Sequence, residues 1–366
     1  MNGPRLLHPG AWWLWAAALA ACALRTTNPV LLCLIVAVAG WVVAARRSDA
    51  PWSGSFASCL RLGAIVIVVR IVFQILFGVR VSGTALFDVP EITLPGWAAG
   101  VSLGGPVTVE AIMGALYQGL RLAAVIACFG AATSLCSPYR MLRALPTVLY
   151  EAGVAVAIAF TFAPQAIIAS RRVREARRLR GRSDRGVRAW TGSALPVLEG
   201  ALDRAVALSA SMDSRGYGRR GSMSTRSRRG SVLLVLIGLM AIAVGSYGLL
   251  DPAAPAVFRI PALALGSVAL IGALVAGSRA TTRSRYRPDP WVLPEWMVMS
   301  TGLIALATFV IVGRVGDGLT TSTNPLEVPA VPILAVFGLV VAALPAWAAP
   351  APPSLATAVR PVVVAA

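Results

Sequence analysis

Three stretches of this chain, Val232–Leu250, Ala256–Ala276 and Val331–Ala349, are apolar almost from end to end. An α-helix needs roughly 20 such residues to cross a bilayer. Lipid offers no hydrogen-bond partners, so a spanning segment must satisfy its own backbone, and a continuous apolar run does so as a helix. A membrane β-barrel would show alternation instead. Composition agrees: 13% of the residues are charged, against about 25% in soluble domains. The fold class read from these runs is all-α, a polytopic helical membrane protein.

The expected spans are 11–25, 29–45, 57–79 and 107–133, then 231–250, 256–277, 294–313 and 331–349, eight in all. Between the two sets lies a polar island. The chain has no lysine, so its 33 basic residues are all arginine. Residues 171–230 hold 16 of them against Glu175, Asp184, Glu199, Asp203 and Asp213, a net of +11 out of the whole chain's +18. Basic loops stay in the cytosol. Arg46/Arg47, Arg140/Arg143, the island and Arg279/Arg283/Arg285/Arg287 all fall on one side if the N-terminus is cytosolic and eight segments cross. Both termini are then cytosolic, in the cell membrane.

The apolar run 148–169 breaks that parity if it crosses, because Arg143 and Arg171 would part company. It is therefore expected to lie in the interface or to re-enter, with a bend at Pro164, and to continue as a cytosolic helix to Leu179. The chain divides by polarity into 1–135, membrane helices; 136–230, a coupling module; and 231–366, membrane helices with a loose tail from Pro350. Within 81–106, Glu91–Leu94 and Val101–Leu103 flank a Pro95-Gly96 turn signal and allow a small outer hairpin.

Cys22, Cys33, Cys59, Cys128 and Cys136 form no CxxC pair and lie mostly in apolar runs, so they read as small buried hydrophobes. His8 is the only histidine. It cannot assemble a metal site or a triad alone, and it reads as solvated or interfacial. No metal or cofactor site is expected.

Gly181 to Gly192 should split the island into two amphipathic helices. The second is expected to begin near Ser193–Pro196, since proline suits a first turn, and to end at Gly216. Leu195, Leu198, Leu202, Ala205, Ser209 and Met212 form its apolar stripe. Each helix ends in Arg-Gly. The first reads Ala176-Arg177-Arg178-Leu179-Arg180-Gly181, and the second reads Ser211-Met212-Asp213-Ser214-Arg215-Gly216-Tyr217. The negative end of the helix dipole holds an arginine favourably, and glycine lets another backbone come close. Such a tip suits a groove containing a carboxylate.

This pair of motifs resembles the transmembrane coupling subunit, or T component, of energy-coupling factor (ECF) transporters, the family that includes the cobalt-permease membrane subunit. That family carries two Ala-x-x-Ala-Arg-Gly-like motifs some 30–40 residues apart. Here Leu179 replaces the second Ala of the first motif, and Ser211 and Ser214 replace both in the second. Leu7-His8-Pro9, Asn28-Pro29, Gly119-Leu120-Arg121-Leu122, Thr133-Ser134, Tyr150 and Phe162-Ala163-Pro164 are similar to family features. The likeness covers about 7–250, and the spans beyond depart from the compact family pattern.

The resemblance implies a partner-binding subunit rather than an enzyme. Two ABC-type ATPases would receive the helix ends, with Arg180 and Arg215 each facing an acidic groove residue. Ala176, Leu179, Gly181, Ser211, Ser214 and Gly216 would complete the contacts. A small membrane subunit that binds a vitamin or metal ion would receive the motion. The chain itself has no GxxxxGK[ST] phosphate loop. Two other classes stay open on the residues alone: a membrane enzyme that holds a lipid-linked phosphate, and a basic scaffold on anionic membrane lipid. Nucleic acid is not expected, since the island offers only Trp190 and Tyr217 for stacking. Arg121 lies inside a span, where charge is costly. It is expected either to pair within the bundle, with Glu110 as the nearest acid, or to face the substrate-binding subunit.

Overall fold

A computed structural model describes residues 5–77, 83–93, 102–144, 150–181, 187–216, 225–251, 254–279, 290–316 and 318–352. Among the described residues the chain is helical apart from one hairpin and an isolated bridge between Thr323 and Leu326. Its helices are α1 Pro9–Arg25, α2 Pro29–Arg46, α3 Ser55–Phe77, α4 Val109–Leu135, α5 Pro138–Ala144, α6 Tyr150–Leu179, α7 Val187–Ser214, α8 Thr225–Leu250, α9 Ile260–Arg279, α10 Leu293–Val315, α11 Ile333–Ala343 and α12 Pro345–Ala348. Strands β1 Ala85–Thr93 and β2 Ser102–Thr108 pair antiparallel, with Ile92 opposite Leu103. This is the hairpin that the turn signal allowed; its 94–101 connection lies outside the described residues.

Seven described helical segments are long and apolar enough to cross a membrane: Pro29–Arg46, Trp52–Phe77, Val109–Leu135, Gly153–Leu179, Arg229–Leu250, Ala256–Ala276 and Leu293–Val315. The chain is a multi-pass helical membrane protein by that measure. The set differs from the eight expected spans in three places. Helix α1 has 17 residues. The expected 331–349 span is broken at Pro345 into α11 and α12, which leaves a shorter apolar stretch, Ile333–Ala348. Gly153–Leu179, expected not to cross, has the length and composition to do so, and α6 runs unbroken through Pro164.

The chain forms two compact units, Met1–Met141 with Asp289–Ala366, and Leu142–Pro288. The polarity division followed the chain; the packing gathers the last spans with the first. In the first unit α1 packs on α10 and α4, α10 on α11, and α2 on α4 and α11. Trp15, Leu19, Leu31, Ile35, Phe309 and Leu339 fill this core without exposure. Helices α3 and α4 run antiparallel at close range. A Cβ on Gly119 would meet the Ile67 Cα at 3.1 Å, and one on Gly130 would meet the Cys59 Cβ at 2.6 Å. Only glycine lets the two helices approach so closely.

One end of this unit gathers tryptophan: Trp12, Trp13 and Trp15 at the start of α1, Trp41 near the end of α2, Trp52, Trp291 and Trp296 at the start of α10, and Trp347 in α12. Trp41 packs at a tilt against Trp347, and His8 against Trp291. Tryptophan favours the membrane–water interface. Arg5, Arg46 and Arg140 lie at the same end, donating to Glu295, to the Ala346 and Trp347 carbonyls, and to the Leu7 carbonyl.

In the second unit α8 and α9 form a hairpin built on Gly238 and Gly266, each facing the other's carbonyl oxygen. Helix α7 packs on α6.

Candidate functional site

The two Arg-Gly motifs end two helices in the same way. On α6 the Arg180 N–H donates to the Ala176 and Arg177 carbonyls at 3.2 Å, and the Gly181 N–H to the Arg178 carbonyl at 3.0 Å. On α7 the Arg215 N–H donates to Met212 at 3.1 Å, and the Gly216 N–H to Asp213 at 2.8 Å. Gly181 and Gly216 have φ of +74° and +75°. That left-handed conformation disfavours any residue with a Cβ, which is why each motif needs glycine directly after its arginine.

Arg180 and Arg215 are exposed. Among the described residues neither has an ion pair; the ion pair found is Arg5–Glu295. Leu179 is 91% exposed, and Ala176 is exposed beside it. The serines of the second motif depart less from alanine than their chemistry implies. The Ser211 hydroxyl donates to the Leu208 carbonyl at 2.7 Å and the Ser214 hydroxyl to the Ser211 carbonyl at 2.8 Å. With the hydroxyls folded back onto their own helix, the outer face keeps a small profile at both positions.

The second island helix begins earlier than expected, at Val187 rather than near Ser193, and Pro196 lies inside it. Proline there removes the bond to the carbonyl of Gly192. Gly192 is also where the Arg177 guanidinium from α6 crosses α7. The expected apolar stripe is present, but most of it is uncovered. Leu195, Leu198 and Leu202 are 72%, 56% and 58% exposed; Ala205 and Ser209 are exposed too, and of the stripe only Met212 is half-buried. The uncovered leucines lead along α7 to the arginine tip.

The other sequence candidates resolve as structural parts. His8 caps α1, its Nδ1 accepting the Gly10 N–H at 3.1 Å. Cys22, Cys128 and Cys136 are buried, while Cys33 is exposed and Cys59 half-buried. Burial pushes the Cys136 thiol up to about 12, which keeps it unreactive. No group of three metal-binding side chains occurs among the described residues. Arg121 does not pair with Glu110. It donates to the Leu24 carbonyl at the end of α1, where the helix dipole is negative. Glu110 instead accepts the Thr84 N–H at 2.9 and 3.1 Å, because Thr84 sits where the hairpin meets α4.

Two features escaped the sequence reading. The first is the Arg5–Glu295 pair, with Glu295 fully buried and also accepting the Val292 N–H at 3.1 Å. A glutamate three residues into an apolar run is a helix-start signal that could have been used. The second is Arg70, deep in the run 57–79, which donates to the Gln118 side chain.

No protein-family model matches this sequence, and the search of curated proteins finds no match.

Proposed function

We propose that this chain is the transmembrane coupling subunit of an ABC-type ECF importer. It passes ATP-driven motion from two cytosolic ATPases to a small membrane subunit that binds a vitamin or metal ion. The observation that carries this reading is the pair of matching helix ends. Each presents an exposed arginine followed by a left-handed glycine, and they stand 35 positions apart, at Arg180 and Arg215. A lipid-binding surface needs positive charge but not two copies of one cap.

The tagged chain, purified from its own host in mild detergent, should bring down two ABC-type ATPase subunits and a small polytopic protein in fixed ratio. Purification of the chain without ATPase, in a host where it is functional, would remove the reading.

The tryptophan-rich end of the first unit and the island face the cytosol in this proposal, as the arginines require. Helix α6 lies along the interface rather than across the bilayer. Cysteines introduced as Met141→Cys, Ser183→Cys and Ser222→Cys should all escape a membrane-impermeant maleimide applied to intact cells. If α6 crosses, Met141→Cys and Ser183→Cys will differ in labelling. If all three label from outside, the orientation and the coupling role fall together.

A further inference from the structure

Arginine inside a span is costly and normally faces a partner or water. Two occur side by side in this protein. Arg70 lies seven residues, about 10 Å, before the end of α3. Arg121 lies twelve residues, about 18 Å, into α4. Gln118 stands between them. It accepts from Arg70, and it precedes Arg121 by three residues, which makes the two neighbours on the helix surface.

Neither guanidinium meets a carboxylate among the described residues. Each carries five N–H donors. Arg70 bonds Gln118, Arg121 bonds the Leu24 carbonyl, and the Arg121 Nε is buried without a partner. Arg70 is held to α4, and Arg121 to the carbonyl of Leu24, one residue before the end of α1. The flank that displays them is open at Gln118 and Leu122, while Val125 packs against the core of the first unit and Phe129 lies edge-on to Trp13. Leu122 is 48% and Phe129 51% exposed.

We infer that this flank of α4 seats a membrane-spanning helix of another protein. That helix carries an Asp or Glu side chain opposite Gln118, where Arg70 and Arg121 close on it as a two-guanidinium clamp. Leu122 supplies apolar area; the clamp sets register and selects the partner. A carboxylate matches the geometry because planar guanidinium forks bind it with paired hydrogen bonds. The inference goes beyond the coupling role and does not require the ATPases.

The test places the photocrosslinker p-benzoylphenylalanine at Leu122 in the full chain, in membranes of its own host. Irradiation should yield an adduct with an integral membrane protein whose crosslinked span contains an acidic residue. Arg70→Gln with Arg121→Gln should cut adduct yield at least tenfold, while Arg70→Lys keeps most of it. Arg70→Glu should restore the adduct when the partner's acid is changed to Arg. Should the double variant fail to insert, Arg70→Gln alone carries the test, since its side chain is exposed and holds one hydrogen bond. Adducts with lipid only, adducts confined to the chain itself, a partner span without an acid, or a yield indifferent to both arginines would each overturn the inference. Arg180→Glu should leave the adduct in place, so loss of the coupling reading is distinguishable from loss of this one.

Discussion

Arg180→Glu and Arg215→Glu are each expected to abolish transport or ATPase assembly while leaving membrane insertion intact. Both arginines sit on exposed helix ends and bond nothing acidic among the described residues, so the fold does not depend on them. A hydrogen bond between a guanidinium and a carboxylate contributes about 1.5–3 kcal/mol. Truncating one member of a buried charge pair costs about 2–5 kcal/mol, and reversing its sign adds like-charge repulsion. At 1.4 kcal/mol per tenfold in affinity, about 3 kcal/mol is a loss of more than a hundredfold at one ATPase. The double variant should be at least as severe as either single one. Arg229→Glu, exposed but outside both motifs, is the control and should stay within a fewfold of the parent in ATPase pull-down. Equal defects in the control and the motif variants would mean that the island acts as diffuse charge on a lipid surface. Gly181→Ala and Gly216→Ala test the same tips through the backbone. Alanine is strained at φ near +75°, so each should weaken assembly without changing charge.

The features legible in sequence were those fixed by local rules. The end of α6 at Leu179 and the cap at Gly216 were readable because glycine after a charged helical turn is a stop signal. The β1–β2 hairpin was readable from its Pro-Gly turn. The start of α7 was not. Pro196 looked like a first-turn residue, and nothing local announces that the helix starts nine residues before it, at Val187. The Arg121 contact was invisible for a different reason. Its acceptor is a backbone carbonyl 97 positions away, and every residue has a carbonyl, so no side-chain pattern could name it. The same holds for unit membership: α10 to α12 join α1 and α2 through apolar faces that look alike in all the spans. Arg70 escaped the reading because its partner Gln118 is an uncharged residue on another helix, so no pattern of opposite charges points to it.

Asn28 shows how a single short polar side chain closes the first unit, and Asn28→Leu should destabilise it more than most core substitutions. The residue is fully buried. Its Oδ1 accepts the Val30 N–H at 3.0 Å and caps α2, while its Nδ2 donates to the Ala330 carbonyl at 2.6 Å and the Gly318 carbonyl at 3.4 Å. Thr26 joins the same knot by donating to the Leu319 carbonyl at 2.7 Å. One amide thus ties the α1–α2 turn to both ends of the 318–330 segment that leads into α11. Leucine matches asparagine in size but removes the cap on α2 and both donations to the 318–330 segment. Val30 and Ala330 are exposed and Gly318 is half-buried, so water takes over part of what is lost. A lost cap at about 0.5–2 kcal/mol and two lost hydrogen bonds at about 0.5–1.5 kcal/mol each give a net loss of about 2–4 kcal/mol. Asn28→Asp keeps the cap on α2 and loses both donations, so it separates the two halves of the knot. It should leave α2 formed while 318–330 becomes open to protease. Thermal unfolding in detergent and limited proteolysis read these outcomes. An Asn28→Leu variant within 0.5 kcal/mol of the parent would show that the apolar faces of α10 and α11 alone hold this end together.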